Sequence, residues 1–397
     1  MKYIVPLILL LLIGPRVLAQ RPSLSAIQNW GYQLQDIMPD EVASNPSFQL
    51  IVMDYSNDGT EDTKFTPSEI SAIKLSGKRA IAYFSIGEAE DYRFYWKPEW
   101  SSTPPAWLGP ENPDWPGNYK VRFWDPDWRN IVFGYLDKII AQGFDGIYLD
   151  IIDGFDYWMH DNPEQPNADT LMVDFVRSIR TYADAHAPGA FYILPQNPDD
   201  ILHSTNITPA MRDNFFDAID AVGVEDVFFP GDLAENNPFA PNTERIAHLQ
   251  EFRNAGIPVF SIEYLTQQQK KNQYLAAVRN AGFIPYICTR ELDALCDGIA
   301  TSISHTLPVP AELVTMQISP QPMRNAGLIR LTCAIRSGIS ISLFDAAGRY
   351  IKALFSGELA PGETAIPLDL FALPSGTYLV STRAGDYTTS TPLKIVR

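Results

Sequence analysis

Eight short apolar runs recur along roughly the first three hundred residues, and most are followed by a stretch of helical character. The runs fall at 30–35, 50–55, 79–86, 146–151, 191–196, 218–224, 257–263 and 283–289. Most are near-continuous in Val, Ile, Leu, Tyr and Phe, the pattern of strands buried on both faces. Helix-like stretches lie at 66–75, 128–142, 169–186, 243–254 and 267–280, the first opened by Thr66-Pro67. Gly143 and Gly282 stand where two of these helices must stop, because glycine enters the left-handed conformation that ends a helix. Eight strand–helix units in about 280 residues predict an α/β fold, a (β/α)8 TIM barrel. A doubly wound open sheet fits less well, since no Gly-rich dinucleotide loop follows an early strand.

The pattern changes at both ends. Lys2, an apolar run at 4–13 and Val17-Leu18-Ala19 read as a cleavable signal peptide over 1–19, too short to span a bilayer. No later run reaches eighteen apolar residues. The chain is therefore expected to be secreted or held at the outer cell surface, with no transmembrane segment after cleavage. The barrel is assigned to 22–298 and a Ser/Thr/Pro-rich linker to 299–312. Beyond it, 313–397 reads as a small all-β sandwich, with strands at 328–335, 339–345, 350–356, 363–368, 376–383 and 387–396.

Charge and rare residues narrow the function. Lys and Arg number 30 against 47 Asp and Glu, a net charge of −17, which argues against a nucleic-acid partner. The five His fall in loops or helices, so no metal site and no cofactor are expected. No Gly-x-Ser-x-Gly elbow is present. Of the three Cys, Cys288 and Cys296 are close enough in sequence to bridge, leaving Cys333 over.

A parallel barrel does its chemistry at the carboxyl ends of its strands. Polar residues gather there: Gln33, Asp54, Ser85, Glu88, Asp150, Asp153, Gln196, Asn197, Glu225, Asp226, Glu263, Tyr264 and Arg290. The strongest cluster is the run from Gly143 to Asp153, which delivers Asp150 on a buried strand with Asp153 three residues later. Glu225 ends the sixth run and Glu263 the seventh. Two carboxylates facing one cavity are the minimum apparatus for glycoside hydrolysis, one as nucleophile or base and one protonating the leaving oxygen. The insert at 89–126 holds five of the eight Trp, including Trp124. It reads as a rigid lid with its own small core and as a set of sugar-stacking platforms, two readings that can hold together.

Three stretches carry a resemblance. Residues 29–35 (Asn-Trp-Gly-Tyr-Gln-Leu-Gln), 81–93 (from Ile81-Ala82-Tyr83 to Asp91-Tyr92-Arg93), and the Asp150 cluster with Glu225 are together similar to glycoside hydrolase family 114. That family is a (β/α)8 barrel whose studied activity is endo-α-1,4-polygalactosaminidase. The resemblance implies a retaining mechanism on a polysaccharide substrate, with Asp150 as nucleophile and Glu225 as acid/base. Glu263 is the runner-up for the second role. Gln33, Asp54, Tyr83, Ser85, Glu88, Trp124, Asp153, Gln196 and Glu263 are the expected substrate-binding residues. A deacetylated galactosamine polymer is cationic and suits an acidic protein. A barrel that binds carbohydrate without cleaving it is the competing expectation. The tail, with Leu343-Phe344-Asp345 and Gly376-Thr377-Tyr378, resembles the C-terminal sorting domain of type IX secretion, which implies export machinery as a partner.

Overall fold

The computed structural model describes residues 21–296 and 314–396, apart from residues 325, 334–336, 346–349, 360–361, 371–372 and 385–386. The expected signal peptide and linker lie outside the described residues. The chain divides into two compact units, 1–300 and 301–397.

In chain order the first unit begins β1 (Trp30–Gln33), α1 (Pro39–Ser44), β2 (Leu50–Met53), α2 (Pro67–Leu75) and β3 (Arg79–Ser85). An insert follows, with β4 (Glu88–Glu90), β5 (Leu108–Glu111) and β6 (Asn118–Val121). Then come α3 (Pro126–Gln142), β7 (Gly146–Asp150), the single turn α4 (Gly154–Asp156), α5 (Ala168–His186) and β8 (Tyr192–Pro195). The unit closes with α6 (Pro209–Ala218), β9 (Val222–Glu225), α7 (Thr243–Asn254), β10 (Val259–Tyr264), α8 (Gln268–Ala281) and β11 (Ile284–Cys288). All eight expected strands are present and each is shorter than expected, although β9 and β10 start later and run one residue further, to Glu225 and Tyr264. Helices α1 and α6 were not among the expected ones. Both are short and open with Pro at the first turn, which presets φ for a helix.

The strands pair in parallel as β1-β2-β3-β7-β8 and β9-β10-β11. A parallel bridge from Gln196 to Gly223 joins the two arcs. On the other side Trp30 Nε1 donates to Ile284 O at 3.1 Å and Leu34 N to Leu292 O at 2.8 Å. The result is a TIM-barrel-like α/β fold. Alternation along each strand divides the core in two. Tyr32, Ile81, Tyr83, Tyr148, Leu194 and Phe260 belong to an inner cluster, filled mainly by aromatic side chains. Ala82, Phe84, Ile147, Leu149, Val222 and Val224 pack outward with the helices.

Local signals explain where elements start and stop. Thr66 caps α2 in a reciprocal capping box with Glu69, and Pro67 takes the first helical position. Gly143 ends α3 at φ 88°. Gly223 has a packing reason: a Cβ there would overlap the hydroxyl of Tyr148, which the bare backbone lets cross the interior. Gly223→Ala is therefore expected to cost about 1–3 kcal/mol by overpacking. Gly134, mid-α3 with open space where its Cβ would lie, is the control. There Ala is expected to stabilise by about 0.5–1 kcal/mol. Urea unfolding of the two variants checks both signs.

The insert is more than a loop. Its strands form a small antiparallel sheet in the order β4-β6-β5. Its tryptophans mostly pack inward: Trp107 is buried, while Trp96, Trp100 and Trp124 lie half-buried against the outer core. Trp124 meets Trp158 edge-on at 5.4 Å. Of the five, only Trp115 is exposed, at 54%.

The second unit is all-β. Its strands are β12 (Val314–Ser319), β13 (Ala326–Cys333), β14 (Ser337–Asp345), β15 (Tyr350–Leu359), β16 (Gly362–Asp369), β17 (Gly376–Ala384) and β18 (Tyr387–Ile395). They form two antiparallel sheets, β12-β13-β16 and β15-β14-β17-β18. Both contribute to one core, with Ile329, Leu331, Ile341 and Val380 fully buried. Strand β12 was not expected, although Val314, Met316 and Ile318 alternate with Thr315, Gln317 and Ser319 in the pattern of a half-buried strand.

Candidate active site

The carboxyl ends of β7, β8 and β9 build the centre of the site. Asp150 is the last residue of β7, in register with Ser85 of β3, and continues the inward side of Tyr148. Glu225 ends β9 on the inward side of Gly223. The chain then turns sharply. Ile151, Asn197 and Asp226, just past the three strand ends, all take left-handed φ values of 57°, 48° and 54°. This is unfavourable for any non-glycine and most for β-branched Ile151. Gly87 accommodates it: a Cβ there would strike the Ile151 carbonyl.

Each carboxylate has one tyrosine donor. Tyr83 donates to Asp150 Oδ2 at 2.5 Å, and Tyr264 donates to Glu225 Oε2 at 2.5 Å. Burial pushes Asp150 up to about 7 against the Tyr83 hydrogen bond, helped by the nearby charges of Glu225 and Asp153. Asp153 is reached by solvent but hemmed by protein; desolvation, then Glu225, raises it to about 6. The three carboxylates Asp150, Asp153 and Glu225 act on one another, and the buried Tyr32 hydroxyl is raised by burial and by Tyr148, Asp150, Tyr264 and Glu225, an electrostatic environment that favours a cation.

Glu225 is held from several sides. Asn197 Nδ2 donates to Glu225 Oε1 at 3.2 Å, and Asn197 Oδ1 accepts the Glu225 backbone N–H. Arg245 ties this turn down through Asn197 Oδ1 (3.0 Å), the Glu225 carbonyl (3.0 Å) and Asp199 (2.6 Å). Arg290 grips Asp226 with both oxygens at 2.8 and 2.9 Å. It lies 3.9 Å from Glu225 and 4.0 Å over the Tyr264 ring. Tyr148 donates to Gln196 beside Gly223. Tyr32, Tyr148 and Arg245 were not candidates from sequence. Tyr148 lies two residues before Asp150 and so shares its side of β7, a signal that the sequence does contain, whereas Tyr32 carries no such cue.

Other expected residues are engaged by protein partners. Asp54 is buried and bound to Arg93 at 2.8 Å; burial raises its pKa even so. Arg93 also binds Glu90 at 2.6 Å, so Asp54 is tied to the insert through Arg93. Gln33 donates to the carbonyls of Gln35, Asp36 and Asp293, which makes it a brace of loop backbone. Ser85 donates to the Glu88 carbonyl at 3.0 Å. Glu88 is buried, with Oε1 accepting from Asn112 at 2.9 Å while Oε2 has no partner. Glu263 is fully buried, and strand parity turns it away from the interior. Phe260, Ile262 and Tyr264 face inward, while Glu263 accepts the Phe228 N–H at 2.7 Å. Among the described residues no group of three or more His, Cys, Asp or Glu could hold a metal ion. Cys288 and Cys296 are bonded, the pairing their spacing allowed.

A TIM-barrel-like fold with paired carboxylates, each hydrogen-bonded by tyrosine at the strand ends, defines a glycoside hydrolase. The comparisons name its family. The profile of glycoside-hydrolase family GH114 matches residues 16–306, and the chain belongs to that family. An uncharacterized protein of Methanocaldococcus jannaschii is 41% identical over 275 residues, 67% of this chain and 77% of that protein. One from Deinococcus radiodurans is 40% identical over 283 residues, 70% of this chain and 85% of that protein. Among solved structures, the glycoside hydrolase domain of PelA from Pseudomonas aeruginosa superposes with a TM-score of 0.51 at 18% identity, over 69% of this chain and 98% of that one. Ega3 of Aspergillus fumigatus, in complex with galactosamine, gives a TM-score of 0.51 at 20% identity, over 71% and 100%. At these identities the two structures bear on the fold.

Proposed function

We propose that this glycoside hydrolase is a retaining, endo-acting enzyme on an α-1,4-linked galactosamine-type polysaccharide, with its strands closed as a (β/α)8 barrel. The observation that carries the reading is the pair Asp150 and Glu225, held at one mouth by separate tyrosine donors and acting on each other electrostatically. Asp150 attacks the anomeric carbon as Glu225 protonates the departing glycosidic oxygen. Glu225 then takes a proton from water, which displaces Asp150 and releases the sugar with retained configuration. Tyr83 stabilises the ionised form of Asp150, and a substrate ammonium does so further. Asp153, which faces solvent within the same negative field, is placed to meet that ammonium.

We also infer export. Residues 1–19 would direct it, and 313–397 would serve as a sorting domain read by the export machinery. The Cys288–Cys296 disulfide suits an oxidising compartment. Fractionation of cells carrying the chain without 313–397 tests this: retention inside the outer membrane is expected, and unchanged surface or medium localisation refutes it.

The substrate test is release of oligosaccharides from a deacetylated α-1,4-galactosamine polymer, with the anomeric configuration of fresh product read by NMR. Oligomers in the α-configuration are expected. Fresh β-product would replace the retaining mechanism with an inverting one. No release from this polymer, with release from another polysaccharide, would move the specificity and leave the family standing.

A further inference from the structure

Glu263 is a buried carboxyl that the mechanism above does not use. It has no solvent exposure, Oε1 accepts the Phe228 N–H at 2.7 Å, and Oε2 has no partner. A buried carboxyl is costly to retain when a hydrocarbon of similar size would fill the space. Its retention there, facing the backbone N–H groups of Phe228 and Phe229, therefore calls for a function. Phe228 lies three residues beyond Glu225, on the segment that leaves β9 through the left-handed Asp226.

We propose that Glu263 is a positioning residue for Glu225: it pins the segment 226–229 and so fixes the direction in which the Glu225 carboxyl points. Strand β10 then serves Glu225 from both of its faces. Inward, Tyr264 donates directly to the Glu225 carboxyl. Outward, Glu263 holds the backbone from which the same side chain departs. The strand register supports this, since Ile262 pairs with Glu225 and places Glu263 one step further along. The far end of the segment is fixed independently: Asn242 N donates to Val227 O at 2.8 Å and Ala240 N to Phe228 O at 3.0 Å. Phe228 and Phe229 are both buried, so the segment cannot turn to water to satisfy the Phe228 N–H if Glu263 is lost. Burial raises the Glu263 pKa to about 8, which leaves the carboxyl neutral at pH 7. Gln reproduces that neutral acceptor, and Ala or Leu removes it.

The proposal rests on the hydrolase reading for its kinetic arm and on structure alone for its other arm. In amide exchange, the Phe228 N–H is expected to be protected in wild type and in Glu263→Gln. It should exchange at least tenfold faster in Glu263→Leu. In turnover of the galactosamine polymer, Glu263→Gln should stay within about threefold of wild type. Glu263→Leu should lose about ten- to a hundredfold in kcat with little change in KM. On a Glu225→Gln background Glu263→Leu should then cost almost nothing more, because it acts through Glu225. If Glu263→Leu folds poorly, Glu263→Ala supplies the same comparison. Equal protection of Phe228 in all variants overturns the brace. A Gln variant as inactive as the Leu variant would make Glu263 a proton donor, and a full multiplicative loss on the Glu225→Gln background would make its role general stability. Failure of wild type to cleave the polymer counts against the substrate reading and leaves the exchange result to decide the brace.

Discussion

Asp150→Asn is expected to lower kcat by about a thousandfold or more while the protein still binds polymer, because the amide cannot form the glycosyl intermediate. Glu225→Gln should lose about a hundred- to ten-thousandfold on the natural polymer, the usual worth of general acid–base catalysis. It should lose far less on a substrate whose leaving group needs no protonation. The same Asp150 variant should be more stable than wild type. Burial raises Asp150 to about 7 from 3.8, so between those pH values the folded protein holds a proton that the unfolded chain has released. Stability from this group is full below about pH 4 and falls as pH rises through 7. Asn carries no charge at any pH and removes that fall, so at pH 8 the variant should melt a few degrees higher, at about 2–4 °C per kcal/mol for a domain of this size. Equal or lower Tm at pH 8 would contradict the environment assigned to Asp150. In wild type, kcat/KM should rise with pH on an acid limb near 7, as Asp150 ionises and becomes a nucleophile.

Arg93→Met is expected to destabilise the fold by about 3–5 kcal/mol, the cost of leaving buried carboxylates without their cation. Arg93 is 4% exposed and binds Asp54 at 2.8 Å and Glu90 at 2.6 Å, with Tyr55, Tyr83, Tyr92 and Tyr135 around its guanidinium. The trio joins the end of β2 to the start of the insert, so its loss should free the insert as well. Urea unfolding measures the loss. Adding Asp54→Asn and Glu90→Gln to Arg93→Met should recover a large part of it, since neutral amides do not need a cation. If the triple variant is no better than the single one, the loss comes from packing around the Arg stem and not from orphaned charge.

The strands and helices were legible in the sequence because they rest on local physics. Thr66-Pro67 before an amphipathic stretch and Gly143 after one mark helix ends whatever the rest of the chain does. Asp150 and Glu225 were legible because each closes a buried run, where a charge has no packing reason to be. The insert was not legible in the same way. Five tryptophans announce aromatic surface but not whether water or protein covers it. The small sheet β4-β6-β5 and the outer core decide that, leaving Trp115 exposed and Trp107 buried.

The order of strands and helices, the two-part chain and the carboxylates at strand ends follow from the sequence by itself, since propensity, capping and hydrophobic pattern act over a few residues. Which of those carboxylates meet was decided only in three dimensions. In strands buried on both faces, apolar residues occupy both parities, so hydrophobicity does not tell inside from outside. Register with neighbouring strands turns Glu225 and Tyr264 into the cavity and Glu263, one residue away, out of it. Asp54 likewise meets Arg93, a partner 39 residues along the chain that only folding brings within reach.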